Sequence, residues 1–182
     1  MEGVCKLKKI IMFIGAPGMN NIELARYLQV TKYPKSIIID RYDSWLRYPN
    51  ERYNSDIIEQ DLYETTSKAL QDSDVVMLIA PFVLKVDRDN FFFYLDQTFQ
   101  EKLEIIGVWV ERKYEDLKIL RQLRLPYRQV PDETFEYLYR YRESPSSEEP
   151  FNDIVYITRE INTGISKNQP YITDILTALD RI

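Results

Sequence analysis

The feature that most constrains this chain is the stretch from Lys9 to Leu28. An apolar run from Ile10 to Ile14 is short and β-branched enough for a buried strand. Gly15, Pro17 and Gly18 interrupt it, and Ile22, Ala25 and Leu28 then recur at helical spacing. Strand, tight loop and helix in that order predict a chain that enters a sheet, turns at the strand's carboxyl end and packs back over it. The pattern repeats. Ser36 to Asp40 is a short apolar run closed by an acid, and Asp74 to Phe82 is the near-continuous hydrophobic run of a central parallel strand covered on both sides. Glu104 to Val110 and Asp153 to Ile157 complete about five strands.

Between the strands, Asn54 or Ser55 caps a helix in which Ile58, Leu62, Thr65 and Ala69 share one face. Further helices are expected over Asp89–Leu103, Glu111–Leu123, from Asp132 toward Arg142, and over Tyr171–Ile182. Tyr48–Tyr53 and Asn162–Asn168 read as loops, and Ser144–Pro150 as a polar linker. The alternation predicts a three-layer α/β/α domain with a mainly parallel sheet and right-handed crossovers. At 182 residues the whole chain, 1–182, is expected to form one domain.

Composition removes several function classes. There is no His, and the single Cys5 has no partner, so neither a disulfide nor a zinc site is expected, and the site carries no predicted metal ligands. Acid–base work falls to carboxylates, Lys or Tyr. No apolar run is long enough to span a bilayer and the amino terminus lacks the regions of a signal peptide, which predicts a cytoplasmic protein without membrane contact. A net charge of −5 argues against general nucleic-acid coating, although it permits a local basic cleft. The 14 Tyr and 8 Phe fill a core first, and exposed rings among them suit a protein partner or self-association.

The opening stretch has the layout of a phosphate-binding P-loop. That motif, Gly-x-x-x-x-Gly-Lys-Ser/Thr, points backbone amides at phosphate, reaches the β- and γ-phosphates with Lys and holds magnesium with the hydroxyl. Gly15 fits the first position and Gly18 keeps the loop small. Asn20 stands at the second Gly, Asn21 at the Lys, and Ile22 and Glu23 where the hydroxyl residues fall. An ordinary strand–turn–helix shares the outline. After the second strand, Arg41 to Arg47 crowds one acid, two arginines and two aromatics directly behind Asp40, beside the carboxyl end of the sheet, where ligands of open α/β folds bind; a solvated, salt-bridged loop has the same composition. The third strand ends in Ala80-Pro81-Phe82 rather than a metal-ordering acid, leaving Asp87 and Asp89 as the nearest carboxylates. Arg121, Arg124 and Arg128, ahead of Pro131, suit an arginine-bearing lid over about 112–131, since the planar guanidinium clamps phosphate oxygens. A helix end whose cations complement its dipole explains the same residues.

Taken together, several pieces resemble a known family. Gly15-Ala16-Pro17-Gly18 before Leu24-Ala25, Ala80-Pro81-Phe82, Val108-Trp109-Val110 and Val130-Pro131-Asp132-Glu133 occur in that order. So do Glu143-x-Pro145 and Glu149-x-Phe151-x-x-Ile154. This succession is similar to the small P-loop kinases of the bacteriophage polynucleotide kinase type, including nucleoside and nucleotide kinases. The resemblance implies ATP and magnesium at the loop, Asp43 or Asp40 as the base for an acceptor hydroxyl, and Arg47, with Arg41 beside it, on the substrate phosphate. It also implies Arg121, Arg124 and Arg128 as the lid, and a phage-related source with the host cytoplasm as location.

The departures point elsewhere. Asn21 removes a cation from the transferred phosphate, Ile22 and Glu23 remove the magnesium hydroxyl, and Glu23 adds a negative charge. Losing one preorganised donor costs on the order of 3–4 kcal/mol of transition-state stabilisation. The expectation is a pseudoenzyme that keeps the kinase scaffold to bind a protein partner, a nucleotide or a nucleic-acid ligand without phosphoryl transfer. An active kinase that supplies its cation from Lys9, Lys85 or Lys113 is the alternative, and a nucleic-acid end binder using the arginines as phosphate clamps is a third.

Overall fold

The computed structural model describes residues 7–19, 21–51, 55–124, 128–159 and 182. Five parallel strands, β1 (Lys8–Ile14), β2 (Ile37–Asp40), β3 (Val75–Ala80), β4 (Leu103–Arg112) and β5 (Asp153–Arg159), form one sheet in the order β2-β3-β1-β4-β5. Helices α1 (Asn21–Thr31), α2 (Arg41–Arg47), α3 (Ser55–Asp72), α4 (Lys85–Thr98), α5 (Tyr114–Gln122) and α6 (Asp132–Arg140) connect them. The three-layer α/β/α arrangement read from the sequence is the one observed.

Alternation along the strands sorts the core into two layers, because successive side chains of a strand point to opposite faces. On β1, Ile11 and Phe13 join Leu24, Ala25 and Leu28 of α1, Leu117 of α5 and Phe135 of α6. Ile10, Met12 and Ile14 join Leu62 and Leu70 of α3 and Phe91 and Leu95 of α4 on the other face. All five β1 side chains from Ile10 to Ile14 are fully buried, and each contributes about 1.5–3 kcal/mol of transfer free energy. Central placement follows from that burial: β1 pairs with β3 on one side and β4 on the other.

The register sets the site. Ile14 lies opposite Ala80, and Asp40 lies opposite Ile79, so the loop after β1 and the end of β2 open at one rim of the sheet. Three segments differ from expectation. Arg41–Arg47 is a helix, started by Asp40, whose carboxylate accepts from the Tyr42 amide at 3.0 Å. α4 begins at Lys85, about one turn earlier than expected, and ends at Thr98, with Leu103 already in β4; the helix buries Phe91, Phe92 and Leu95. Residues 144–150 do not behave as a polar linker. Within them Glu149 is 5% exposed and pairs with the fully buried Arg88 of α4, which locks the segment to the core. The loop expected at Asn162–Asn168 and the helix expected at Tyr171–Ile182 lie outside the described residues, save for Ile182, which is buried in the layer with α1. Among the described residues no helix is long and apolar enough to cross a membrane.

Candidate functional site

The loop between β1 and α1 closes on itself. The Gly15 amide donates to the Pro81 carbonyl at 3.1 Å, and the Met19 amide donates to Ala16 at 3.2 Å. A Cβ at Gly15 would stand 2.9 Å from Met19 Cγ and 3.1 Å from the Val110 carbonyl, so glycine is required by backbone on one side and by Met19 on the other. Gly18 turns the chain at φ +105°, a conformation that suits glycine. Met19 itself belongs to the core, so its side chain anchors the loop from below.

α1 starts at Asn21, which is 8% exposed, and its carboxamide oxygen is buried without a hydrogen-bond partner. Unpaired buried polar atoms are rare in folded chains, because each costs about 1–3 kcal/mol. Asn21 lines a cavity of about 580 Å³ at the carboxyl ends of β1, β2 and β3. Gly15, Gly18, Pro81, Glu23 and Arg26 also line it. So do Asp40, Arg41, Tyr42 and Trp45 from the β2–α2 junction, together with Arg124 and Arg128. Asn20 lies outside the described residues.

The β2–α2 junction is built around Tyr42. Arg124 lies over its ring at 4.7 Å and donates to its hydroxyl at 2.7 Å, while Arg128 lies over the same ring at 5.2 Å. Trp45 meets Tyr42 edge-on at 4.6 Å. Asp40 is 3% exposed and uses one oxygen as the α2 cap. Its other oxygen is an ion-pair partner of Arg128 at 3.4 Å but has no hydrogen bond. Burial raises the Asp40 pKa, with the Asp43 charge adding to it; the Tyr42 amide and the charges of Arg128 and Arg124 pull the other way. Arg41 pairs with Glu59 at 3.5 Å and leaves its buried Nε without a hydrogen-bond partner.

The residues singled out in sequence therefore divide. Gly15, Gly18, Asn21, Asp40, Arg41, Arg124 and Arg128 line one cavity. Asp43, Arg47 and Arg121 do not. Asp43 is exposed on α2. Arg47 grips Asp61 of α3 through Nε at 3.1 and 3.2 Å and through Nη2, and also reaches Ser44 at 3.2 Å. Arg121 pairs with Asp132 and lies over Phe135 at 4.8 Å, tying α5 to α6. Tyr42 and Trp45, within the Arg41–Arg47 stretch that the sequence puts beside the ligand end of the sheet, line the cavity too, as do Met19 and Arg26, which the sequence does not single out. Tyr42 and Trp45 carried a signal, since aromatics three apart on a short helix share a face. Met19 carried none beyond its position.

Among the described residues no three His, Cys, Asp or Glu side chains converge as a metal cage. Chemically, the cavity offers a basic wall and a neutral amide at the start of a helix.

No protein-family model matches the chain. No curated protein matches it either. Solved structures do match. Kti12 of Chaetomium thermophilum, solved with ADP-AlF3, aligns at 14% identity over 93% of this chain and 97% of its own, with a TM-score of 0.59. A fungal RNA kinase aligns at 13% identity over 97% and 86% with a TM-score of 0.61. A sugar kinase from Janibacter aligns at 10% identity over 96% and 95% with a TM-score of 0.62. The chain has a P-loop kinase-like fold. Likeness at such identities concerns the fold, and the site must be argued from its own residues.

Proposed function

We propose that this chain is a binding module on the P-loop kinase scaffold that holds an anionic ligand of the nucleotide class in its cavity and transfers no phosphate. The observation that carries this reading is Asn21. It stands at the Lys position of the motif, begins α1, and faces the cavity with a buried carboxamide oxygen that nothing in the described chain satisfies. A neutral amide supplies a hydrogen bond but no charge to a transferred phosphoryl group.

The residues present do not fit magnesium triphosphate. Glu23 lines the same cavity, Ile22 offers no hydroxyl, and the Met19 amide is already committed to Ala16. The three lysines named as replacements do not line the cavity. Lys9 meets Glu104 at 3.2 Å near the amino-terminal end of the sheet, and Lys85 meets Asp89 at 2.6 Å. The cations that do line it are all arginines: Arg26, Arg41, Arg124 and Arg128.

One observation favours the second reading, an active kinase. Asp40 is buried at the cavity edge with its pKa raised by that burial, which suits a general base. Calorimetric titration with magnesium-ATP, run beside transfer of γ-labelled phosphate to nucleosides and to 5′-hydroxyl oligonucleotides, separates the two. No label is expected in any acceptor. Asn21→Lys is expected to tighten magnesium-ATP binding about tenfold or more, the effect of one charge-assisted hydrogen bond. Label transfer by the unaltered chain overturns the proposal.

A further inference from the structure

Resting on the reading of this cavity as a ligand site, we propose that Asp40 occupies the place of the ligand's anion: a tetrahedral oxyanion, as carried by a phosphate ester, binds between Arg124 and Arg128, displaces Asp40 from Arg128, and leaves Asp40 protonated.

Three features of the geometry lead there. Arg124 and Arg128 are held over the same Tyr42 ring, at 4.7 and 5.2 Å, so two guanidinium groups that reach the chain from outside the sheet converge on one cavity wall. Two planar forks side by side form a clamp for a tetrahedral anion rather than for a single carboxylate. Second, the carboxylate already in that place is poorly bound. Asp40 lies 3.4 Å from Arg128, its outer oxygen is buried, and that oxygen has no hydrogen bond. Third, Asp40 does not need Arg128 to keep its position, because its inner oxygen caps α2 on the Tyr42 amide at 3.0 Å. A stronger acceptor can take Arg128 without unfolding the helix start.

The proton follows from charge. The groups facing Asp40 are Arg128 and Arg124 from the lid segment, Asp43 and the Tyr42 amide from α2. When an oxyanion turns Arg128 and Arg124 toward itself, Asp40 loses the two cations that favour its charged form and gains a second negative neighbour beyond Asp43. Both changes favour the neutral acid. Burial already pushes this group in the same direction. Protonated, Asp40 has a hydroxyl to donate to the incoming oxyanion, which turns an orphaned acceptor into a satisfied donor. By linkage, the complex then carries more protons than the free chain, and affinity falls as the pH rises through the interval between the free and bound pKa values of Asp40.

Inorganic sulfate is the probe for the proton, because it does not titrate near neutral pH; AMP and ribose 5-phosphate test the ester. Titration of the full chain with sulfate at pH 6, in two buffers of different ionisation enthalpy, is expected to give buffer-dependent heats corresponding to uptake of a fraction of a proton up to about one. Sulfate affinity is expected to fall about tenfold between pH 5 and pH 7.5. Asp40→Asn keeps the cap and removes the charge. It is expected to bind sulfate and AMP about tenfold more tightly at pH 7.5, with buffer dependence of the sulfate heats abolished. Arg128→Gln is expected to lose about tenfold in affinity for all three probes. Should Asp40→Asn fail to fold, Asp40→Ser tests the same point with another capping residue. Sulfate affinity that is flat across this pH range, an Asp40→Asn variant that binds no more tightly, or absence of binding by sulfate and both esters each overturns the proposal. With the sulfate slope as expected, tight AMP and weak sulfate assigns the anion to an ester, and equal affinities assign it to a free oxyanion; both uphold the displacement. Transfer of γ-phosphate from ATP overturns the binding-module reading and leaves the competition between Asp40 and the anion standing.

Discussion

Arg88 shows what a single residue decides in this chain. Its side chain is fully buried in α4, donates to both Glu149 oxygens at 2.5 and 3.0 Å, and gives its remaining nitrogen to the Phe82 and Glu143 carbonyls at 2.8 and 3.0 Å. Phe82 has φ +43°, in the left-handed region that side chains rarely adopt, so the bond from Arg88 holds a strained turn at the end of β3. Breaking a buried pair leaves an uncompensated charge inside the protein, which costs about 3–5 kcal/mol. Glu149→Gln is therefore expected to destabilise the chain by an amount of that order in urea unfolding, while the double variant Arg88→Met with Glu149→Leu recovers most of it. A loss below about 1 kcal/mol in the single variant would mean that the pair contributes little.

At the scale of elements, α2 is the piece on which the site depends, and it is the piece least readable from sequence. Seven residues with both charges and two aromatics fit a loop as well as a helix. What decides is distant: Arg47 holds Asp61, and Tyr42 receives Arg124 and Arg128. The strands were legible because β-branched runs such as Ile10–Ile14 carry their burial in their own composition. The cavity was legible at Gly15, Asn21 and Asp40, which sit beside strand ends. Arg47 and Arg121 were indistinguishable in sequence from Arg124 and Arg128, since their acidic partners Asp61 and Asp132 are brought to them only by packing. For the same reason Glu149 read as linker. Tyr42→Phe tests whether α2 and α5 act together. It keeps the ring under both guanidinium groups and removes only the acceptor of Arg124, a charge-assisted bond of about 1.5–3 kcal/mol. Amide exchange along 114–124 is expected to quicken about tenfold or more, with exchange along α3 unchanged; unchanged rates in both would show that the hydroxyl does not restrain α5 and the residues that follow it.

For the whole molecule, the distribution of charge matters more than its sum. The chain carries −5 overall, yet among the described residues its cavity is lined by four arginines, Arg26, Arg41, Arg124 and Arg128, and by two acids, Glu23 and Asp40. Such a local field draws anions toward a chain whose surface repels them, and salt weakens it. The acids next to these arginines sit at a cost to the fold. Burial raises the pKa of Asp40, of Glu59 and of Asp87, and in each case an arginine only partly offsets it: Arg128 for Asp40, Arg41 for Glu59 and Asp87. A folded pKa above the unfolded value means that the native state binds protons more tightly than the unfolded chain. The stability these three groups contribute is full below their ordinary values of 3.8 and 4.5 and is lost as the pH rises through their raised folded values. Asp61 runs the other way. Burial pushes it up, but hydrogen bonds from Arg47 and Ser44 and the Arg47 charge outweigh that, so its contribution is lost only as the pH falls below about its ordinary 3.8. The two trends place the stability maximum on the acid side of neutrality. The urea midpoint at pH 5 is expected to exceed that at pH 7.5 by a few tenths molar, on the order of what a 1 kcal/mol change produces at the usual denaturant slopes. Glu59→Gln with Asp87→Asn is expected to flatten the rise, because it removes two of the three groups that produce it. A midpoint that declines steadily from pH 7.5 to pH 5 would mean that these carboxylates are solvated well enough to stay charged, and that the arginine wall needs no acids held against their will behind it.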